Sequence, residues 1–284
     1  MTRIVYLNGD WLAEGEAKVS IFDRGYLFAD AIYEVTAVLD GKLLDYAGHA
    51  ARLKRSLGEI GISSPLSDDD MLAVHREIVE RNGLREGLIY LQLSRGVADR
   101  DFVFEEDMQP TLSLFTQAKS VIDNPKAKTG ISVVTLEDQR WKRCDIKTVQ
   151  LLYPSLAKME AKRRGADDAW LVADGLVTEA SSATAHIVTR DGRLVTRPLG
   201  REILPGITRS SVIDLAREAG MPVEERAFTP DEAKSAGEAF ITSATNFVLP
   251  VVEIDGVPIG TGKPGQAAAN LRNLYIESRR RGAI

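Results

Sequence analysis

The chain has 284 residues, which is enough for one large domain or two modest ones. Its apolar content of 44% and charged content of 27% are typical of globular proteins, and its net charge of −5 argues against a non-specific nucleic-acid binder. A single cysteine, Cys144, excludes an intrachain disulfide framework and fits a reducing compartment. No apolar run approaches the roughly 20 residues of a membrane span, and the apolar N-terminal stretch is too short for a secretion signal. We therefore expect a soluble cytoplasmic protein.

The first third of the chain predicts short strands and two helices. "GHAARLKRSLGEIG" carries apolar residues at helical spacing and stops at Gly61. "SDDDMLAVHREIVERNG" begins with the capping residue Ser67 and an acidic first turn, and it ends at Gly83. "LIYLQLSRG" and "PTLSLFTQ" alternate as strands do. The polar segment that follows, with Pro125 in it, is the best candidate for a linker.

The second half begins with a predicted strand, "GISVVTLED", and a predicted helix, "TVQLLYPSLAKMEAKRRG", in which Pro154 must occupy the first turn or kink the helix. Asp174-Gly175 and Asp191-Gly192 predict hairpins. "GITRSSVIDLAREAG" is a predicted helix, and Thr229 caps another. A strand-rich stretch and a basic helix close the chain. These elements predict an α+β or mixed α/β protein with two domains, 1–118 and 131–284, joined by a linker at 119–130.

Three features that resemble chemical motifs have simpler interpretations. The "GTGKPG" stretch, residues 260–265, has the glycine spacing of a dinucleotide site, but too few residues follow it to complete a βαβ unit. We expect a loop before the last helix. His49, His75 and His186 show no metal-ligand spacing, and no metal is expected. Cys144 lies near several cations, yet a small buried side chain is the better interpretation.

Lys147 raises a sharper question, because it stands beside an apolar segment in "RWKRCDIKTVQLL". In the simpler interpretation its ammonium reaches the surface. In the other it is desolvated, which disfavours the charged form, so that a neutral amine can attack a carbonyl and form a Schiff base. That chemistry requires an anion site for a cofactor phosphate, an acid for a ring nitrogen and cations for a substrate carboxylate.

The sequence offers a candidate for each requirement. Residues 206–208 open a predicted helix, where free amides and the helix dipole suit a phosphate, although a plain turn with a threonine cap fits as well. Glu179 lies in an apolar stretch and needs a partner, which a protonated pyridine nitrogen would provide. Arg95 and Arg100 follow a strand, and their guanidinium groups match carboxylates.

Taken together, these stretches resemble the fold-type-IV pyridoxal-phosphate aminotransferases, and among them most closely the D-amino-acid aminotransferases. The resemblance covers nearly the whole chain and follows the family's order, and its most specific pair is "RWKRCDIK" with "VTEASS". The other matching stretches are "DRGYLFADAIYEV", "GHAARL", "IYLQLSRGVADR", "LPGITR" and "FITSATN" with "PVVEIDG". The resemblance implies a small N-terminal α/β domain and a larger C-terminal domain with a β-barrel-like core. It also implies transamination between a D-amino acid such as D-alanine and a 2-oxo acid such as 2-oxoglutarate.

The resemblance also implies residue roles. Lys147 looks like the lysine that binds pyridoxal 5′-phosphate as a Schiff base and later shuttles a proton, and Glu179 looks like the acid at the pyridine nitrogen. The remaining residues that are similar to the family's cofactor-binding set are Arg52, Leu204, Ile207, Thr208, Ser243 and Ala244. Those that resemble its substrate-binding set are Tyr33, Tyr90, Arg100, Phe102 and Ser182. In this family the Arg100 loop comes from a neighbouring subunit, which implies a homodimer acting on small molecules, without nucleic acid or membrane.

Two positions depart from the family pattern. Phe102 stands where the D-specific enzymes carry a histidine, which leaves the carboxylate site one donor short. Ala244 stands where a threonine is familiar, which removes a hydroxyl but no backbone amide. The alternatives within the same fold are a branched-chain L-amino-acid aminotransferase, an (R)-amine transaminase and an aminodeoxychorismate lyase. A cofactor-binding protein without turnover is the alternative from another class.

Overall fold

The computed structural model describes residues 2–284, and the chain divides into two compact units. The first unit runs to Val121 and also includes residues 146–150 and 280–284. The second unit comprises Ile122–Asp145 and Leu151–Arg279. The boundaries expected from the sequence stay a prediction. The expected linker contains a short helix, Pro125–Thr129, which Asn124 caps by accepting a hydrogen bond from the Lys126 amide.

The first unit contains an antiparallel sheet and three helices. The strands, in chain order, are β1 (Ile4–Leu7), β2 (Asp10–Ala13), β3 (Ala31–Leu39), β4 (Lys42–Leu43), β5 (Glu86–Ser94) and β6 (Thr111–Ala118), and the helices are α1 (Arg24–Phe28), α2 (Tyr46–Glu59) and α3 (Asp68–Arg81). The strands lie in the order β2-β1-β6-β5-β3-β4. Alternation along β5 buries Ile89, Leu91 and Leu93 in one core with Leu57 and Ile78 of the two longer helices.

The second unit is built on a nine-stranded mixed sheet with helices. Its elements are α4 (Pro125–Thr129), β7 (Ile131–Glu137), α5 (Leu152–Arg163), β8 (Asp168–Ala173), β9 (Leu176–Ala180), β10 (Thr184–Val188), β11 (Leu194–Thr196), α6 (Ile207–Glu218), β12 (Val223–Glu225), α7 (Pro230–Ser235), β13 (Glu238–Ser243), β14 (Phe247–Ile254), β15 (Val257–Pro258) and α8 (Gln266–Arg281). The strand order is β12-β11-β10-β13-β14-β7-β8-β9, with β15 on β14. The sheet curls, and β9 returns to lie beside β10. The mixed α/β prediction with a barrel-like core is confirmed.

Local sequence signals explain several of these boundaries. Ser67 accepts a hydrogen bond from the Asp70 amide at the start of α3, and Thr229 accepts one from the Glu232 amide at the start of α7, as predicted. Asp174 and Gly175 both have positive φ angles, 50° and 76°, which suits the tight hairpin between β8 and β9. No helix among residues 2–284 is long and apolar enough to cross a membrane.

One predicted helix boundary is wrong. The helix expected from Thr148 begins instead at Leu152, so that Pro154 lies in its first turn, where proline is tolerated. Residues just before it are not helical because their backbone bonds to β3 instead. Thr148 forms a bridge with Ile32, and the Val149 amide donates to the Ala31 carbonyl at 3.1 Å. Tertiary hydrogen bonds thus replaced the first helical turn.

Candidate active site

Lys147 lies on the extended segment that runs beside β3 in the first unit. Its carbonyl accepts a hydrogen bond of 3.0 Å from the Tyr33 amide, and its own amide lies 3.4 Å from the Ser56 hydroxyl. The Nζ atom lies 4.1 Å from the centroid of the Tyr33 ring. Lys147 is half-buried, and its amine has no carboxylate partner among residues 2–284. The backbone is therefore fixed, and the amine remains available for chemistry.

Tyr33 and Tyr90 stand side by side on one face of the first sheet. Their rings stack with centroids 5.5 Å apart, because Tyr33 and Tyr90 occupy diagonal positions on the paired strands β3 and β5. The Tyr90 hydroxyl donates to Gln92 at 2.9 Å. Burial, aided by Tyr33, raises the pKa of Tyr90 to about 12, so its phenol stays protonated at neutral pH. Both predicted substrate residues therefore lie on the same face as the Lys147 amine.

Arg52 is held in a buried ion cluster that the sequence did not reveal. Its Nε and Nη2 atoms donate to the two carboxylate oxygens of Glu34 at 2.7 and 2.8 Å, and His49 Nδ1 lies 2.8 Å from the same carboxylate. Burial opposes ionisation of Glu34, but Arg52 and His49 outweigh it and hold the pKa of that carboxyl well below its usual range. The pairing therefore fixes the orientation of the Arg52 guanidinium before any ligand binds.

The two arginines proposed as carboxylate ligands both follow β5, but they have different surroundings. Arg100 is exposed, with its guanidinium carbon 5.5 Å from the Phe28 ring and 5.7 Å from the Phe102 ring. Arg95 is buried, and it binds the Asp30 carboxylate through two nitrogens at 2.8 and 3.1 Å. The suggestion that Arg95 binds a substrate carboxylate is wrong, because its guanidinium already binds the Asp30 carboxylate. Arg100 remains a candidate.

Glu179 forms the centre of the candidate site in the second unit. Arg140 donates a short hydrogen bond to one of its carboxylate oxygens, and the Leu204 amide lies 3.3 Å from the other. Arg140 is itself oriented by Asp138, which accepts from its Nε and Nη2 atoms at 2.9 and 2.6 Å. Burial raises the pKa of the Glu179 carboxyl, and the neighbouring guanidinium opposes that rise. Glu179 is buried, as its apolar stretch predicted, but the sequence did not reveal Arg140 as the partner that compensates its charge, and its role at a cofactor stays a prediction.

The start of α6 provides backbone donors for an anion. The helix has 12 residues and its N-cap is Gly206, which has no side chain to bond the first amides. The expected alternative, a threonine cap, is wrong, because Thr208 lies inside the helix and not at its N-cap. A side chain on Gly206 would press against the Thr184 hydroxyl, so the glycine keeps this end of the helix open. The amides of Ile207 and Thr208 are thus suited to a phosphate.

Two turns complete the candidate residues of the second unit. Ser243 and Ala244 are half-buried at the start of the turn between β13 and β14, where Ser243 Oγ lies 3.2 Å from Thr245 Oγ1. Ser182 is exposed in the turn between β9 and β10, three residues after Glu179. Leu204 is half-buried and is tied to Glu179 through its amide.

The simpler interpretations of the remaining motifs agree with their surroundings. The glycine-rich stretch 260–265 is a loop before α8, and Glu238 caps that helix by accepting from the Ala267 and Ala268 amides at 2.9 Å. Burial raises the pKa of Cys144 to about 11, so neighbouring cations do not produce a reactive thiolate. Cys144 is only half-buried, less than the sequence predicted, and it donates to the Trp141 carbonyl.

Comparisons with known proteins identify the family of the chain. The family model described as amino-transferase class IV matches residues 31–254. The chain belongs to this family. A D-alanine aminotransferase of Bacillus licheniformis is 40% identical over 276 residues, which cover 96% of each chain. A branched-chain aminotransferase structure from Escherichia coli has a TM-score of 0.91 at 20% identity, covering 98% of this chain and 95% of its own, and therefore supports the fold alone.

A branched-chain aminotransferase of Thermoproteus uzoniensis, solved with norvaline, is 26% identical with a TM-score of 0.85, covering 98% of this chain and 94% of its own. Another branched-chain aminotransferase of this fold was solved with pyridoxamine 5′-phosphate. Class IV aminotransferases use pyridoxal 5′-phosphate, and the residues here fit that cofactor. The open helix start at Gly206 suits its phosphate, and the buried Glu179 carboxylate suits a protonated ring nitrogen. The free amine of Lys147 suits its aldehyde.

Proposed function

We propose that the protein transfers an amino group between a D-amino acid, such as D-alanine, and a 2-oxo acid, such as 2-oxoglutarate. The chemistry rests on one observation above the others, which is that the Lys147 amine has no carboxylate partner within residues 2–284 while its backbone is fixed beside β3. The D-amino-acid preference rests on the D-alanine aminotransferase of Bacillus licheniformis, which matches this chain over nearly its full length.

Each residue has a defined task in this proposal. Pyridoxal 5′-phosphate, when bound, supplies an aldehyde that condenses with amines and a ring that withdraws electrons from the substrate α-carbon. Lys147 would hold the cofactor, and its Nζ, once released, would take the proton from the substrate α-carbon and pass a proton to the cofactor. Glu179 accepts a hydrogen bond from the ring nitrogen and favours its protonated form.

The phosphate and the substrate carboxylate are assigned to separate groups. Arg52, the amides of Ile207 and Thr208, and the turn at residues 243–244 are proposed to bind the phosphate, with Leu204 packed on the ring. The substrate carboxylate is proposed to bind Arg100 and Tyr33, since a guanidinium and a phenol both donate to carboxylate oxygens. The remaining proposed contacts of the substrate are Tyr90, Phe102 and Ser182.

We also propose that the protein is a cytoplasmic homodimer. Residues 14–28, a loop that ends in α1, and the loop of Arg100 carry exposed apolar side chains that include Tyr26, Phe102 and Val103, which are 76%, 76% and 80% exposed. The two loops are joined, because the Ala98 amide donates to the Phe22 carbonyl at 3.3 Å. An apolar surface of this kind favours a protein partner, and the proposed partner is a second copy of the chain. The single cysteine fits a reducing compartment.

The half-reaction with a single amine tests the function. Purified protein carrying pyridoxal phosphate is mixed with D-alanine in the absence of any 2-oxo acid, and the visible absorbance of the bound cofactor is followed. L-leucine and (R)-phenylethylamine are tested in parallel. Loss of the band with D-alanine alone supports the proposal. Loss with L-leucine or with the amine instead would retain the chemistry and replace the substrate, and product formation without a 2-oxo acid acceptor would favour a lyase.

A further inference from the structure

The turn that carries Ser243 and Ala244 has an unusual backbone. Ser243 of β13 pairs with Phe247 of β14, which leaves three residues to reverse the chain. Phe247 has a φ angle of 58°, in the left-handed region that bulky side chains rarely adopt, and it is completely buried. A conformation of this kind persists only where its surroundings enforce it.

Hydrogen bonds from Arg272 of α8 hold Phe247 in this conformation. Its Nη1 atom donates to the Asn246 carbonyl at 2.6 Å and to the Val248 carbonyl at 2.9 Å, so that one nitrogen holds the carbonyls on both sides of Phe247. Its Nη2 atom donates to the Ile122 carbonyl at 3.0 Å. Hydrogen bonds from a charged group are stronger than those between neutral groups. The guanidinium therefore holds the carbonyl groups of the residues immediately before and after the strained residue.

Burial and packing make this arrangement rigid. Arg272 is only 7% exposed, and burial lowers the pKa of its guanidinium from the ordinary value. Its guanidinium carbon lies 5.7 Å from the Phe247 ring centroid, and the Tyr275 ring, one turn further along α8, packs against Phe247 at 5.1 Å. The same helix thus holds both the backbone and the side chain of Phe247.

We propose that Arg272 is a positioning residue for the cofactor phosphate. By fixing the carbonyls around Phe247, it holds the Ser243 hydroxyl and the Ala244 amide in the orientation that receives phosphate oxygens. The inference rests on the proposed function, in which the turn at residues 243–244 binds that phosphate. An arginine is suited to this task because its planar group holds several acceptors in a fixed geometry, which a lysine on a flexible stem does not.

Comparing two ligands separates positioning from general stabilisation. Pyridoxal 5′-phosphate and pyridoxal both carry the aldehyde and the ring, but only the first has a phosphate. Arg272→Met should weaken binding of pyridoxal phosphate by about tenfold or more, the loss expected when a charged phosphate contact is misaligned. Binding of pyridoxal should change by less than about threefold, since its contacts lie outside the turn.

Two further variants make the comparison specific. Leu271→Ala loosens a buried position on the same helix without touching the turn, and it should leave the ratio of the two affinities unchanged. Arg272→Lys keeps the charge but loses the planar group, and its ratio of the two affinities should lie between those of Arg272→Met and the wild type. Arg272→Lys also serves as the test variant if Arg272→Met does not fold.

Dissociation constants are measured by titrating each ligand into the cofactor-free protein and following the visible absorbance. An equal loss for both ligands in Arg272→Met, the same change of ratio in Leu271→Ala, or no change at all would overturn the inference. A wild-type protein that does not bind pyridoxal phosphate would instead refute the proposed function. The two failures are therefore distinguishable.

Discussion

Arg52 and Glu34 form a two-point ion pair, with hydrogen bonds of 2.7 and 2.8 Å between α2 and β3. Both side chains are buried, and the Glu34 carboxylate also serves His49. The arginine proposed to bind the cofactor phosphate is thus oriented before any ligand arrives. A buried charge pair contributes less through net attraction than through the cost of separating its members.

Glu34→Gln should destabilise the protein by about 3–5 kcal/mol, because it leaves the Arg52 charge buried without its counter-ion. Urea unfolding at neutral pH measures the loss. The control is Glu77→Gln, which breaks the exposed Glu77–Arg81 pair on α3 and should cost less than about 0.5 kcal/mol. Since pairing lowers the pKa of Glu34, its contribution should be complete at neutral pH and should decrease as the pH falls below about 4. Equal stabilities of the two variants would contradict the assignment.

Arg140→Met should reduce kcat by about 100-fold or more while the protein still binds its cofactor. Without the guanidinium, the Leu204 amide is the remaining group that opposes the effect of burial, so the pKa of Glu179 rises further and the carboxyl holds its own proton more readily. It would then no longer favour a protonated ring nitrogen. Steady-state kinetics and the visible absorbance of the bound cofactor measure the two properties separately. Lys142→Met, in the same loop but exposed, should leave both unchanged.

Comparing the predicted and observed site shows what a sequence can reveal. The strand alternation of β5 and the cap of α7 are local patterns, and both were predicted from neighbouring residues. The role of Lys147 stays a prediction. The Arg52–Glu34 pair joins two residues that are 18 positions apart and lie on different elements, and no local pattern requires a glutamate within an apolar strand to face inward. Likewise, Thr148 was expected in a helix because local propensity cannot anticipate its pairing with Ile32.

Arg100→Ala should lower kcat/KM for D-alanine, because the substrate carboxylate would lose its counter-ion. The loss should correspond to an increase of about 2–4 kcal/mol in the activation free energy. Activity toward an amine without a carboxylate should be unaffected, and the comparison of the two substrates is the measurement. The exposed Arg55→Ala on α2 is the matched control, and it should retain wild-type kinetics. Arg100→Ala kinetics that match the wild type would exclude the role given to Arg100.

In the same assay, Phe102→His should lower KM for D-alanine by restoring a donor to the carboxylate site.

Acid should destabilise the protein through two buried histidines. Burial lowers the pKa of His75 to about 4 and that of His186 to about 3, so both stay neutral in the folded state while the unfolded chain takes up protons below about pH 6.5. The free energy of unfolding is therefore highest above that pH, where both histidines are neutral in either state, and it decreases as the pH falls. Each should reduce the free energy of unfolding by about 1.4 kcal/mol per pH unit.

His75→Gln should decrease the dependence of stability on pH by about that amount between about pH 6 and 5. Urea unfolding across this range measures both slopes. Identical slopes for the variant and the wild type would show that His75 titrates normally in the folded protein.

The most direct test of the account is to identify the lysine that binds the cofactor. Protein loaded with pyridoxal phosphate is reduced with borohydride, which makes the bond between the lysine and the cofactor permanent, and is then digested and analysed by mass spectrometry. The account predicts that the cofactor mass is found on Lys147, and that Lys147→Ala shows neither the mass nor the visible band. Cofactor mass on another lysine, such as the nearby Lys142, or unmodified Lys147 in loaded protein, would contradict it.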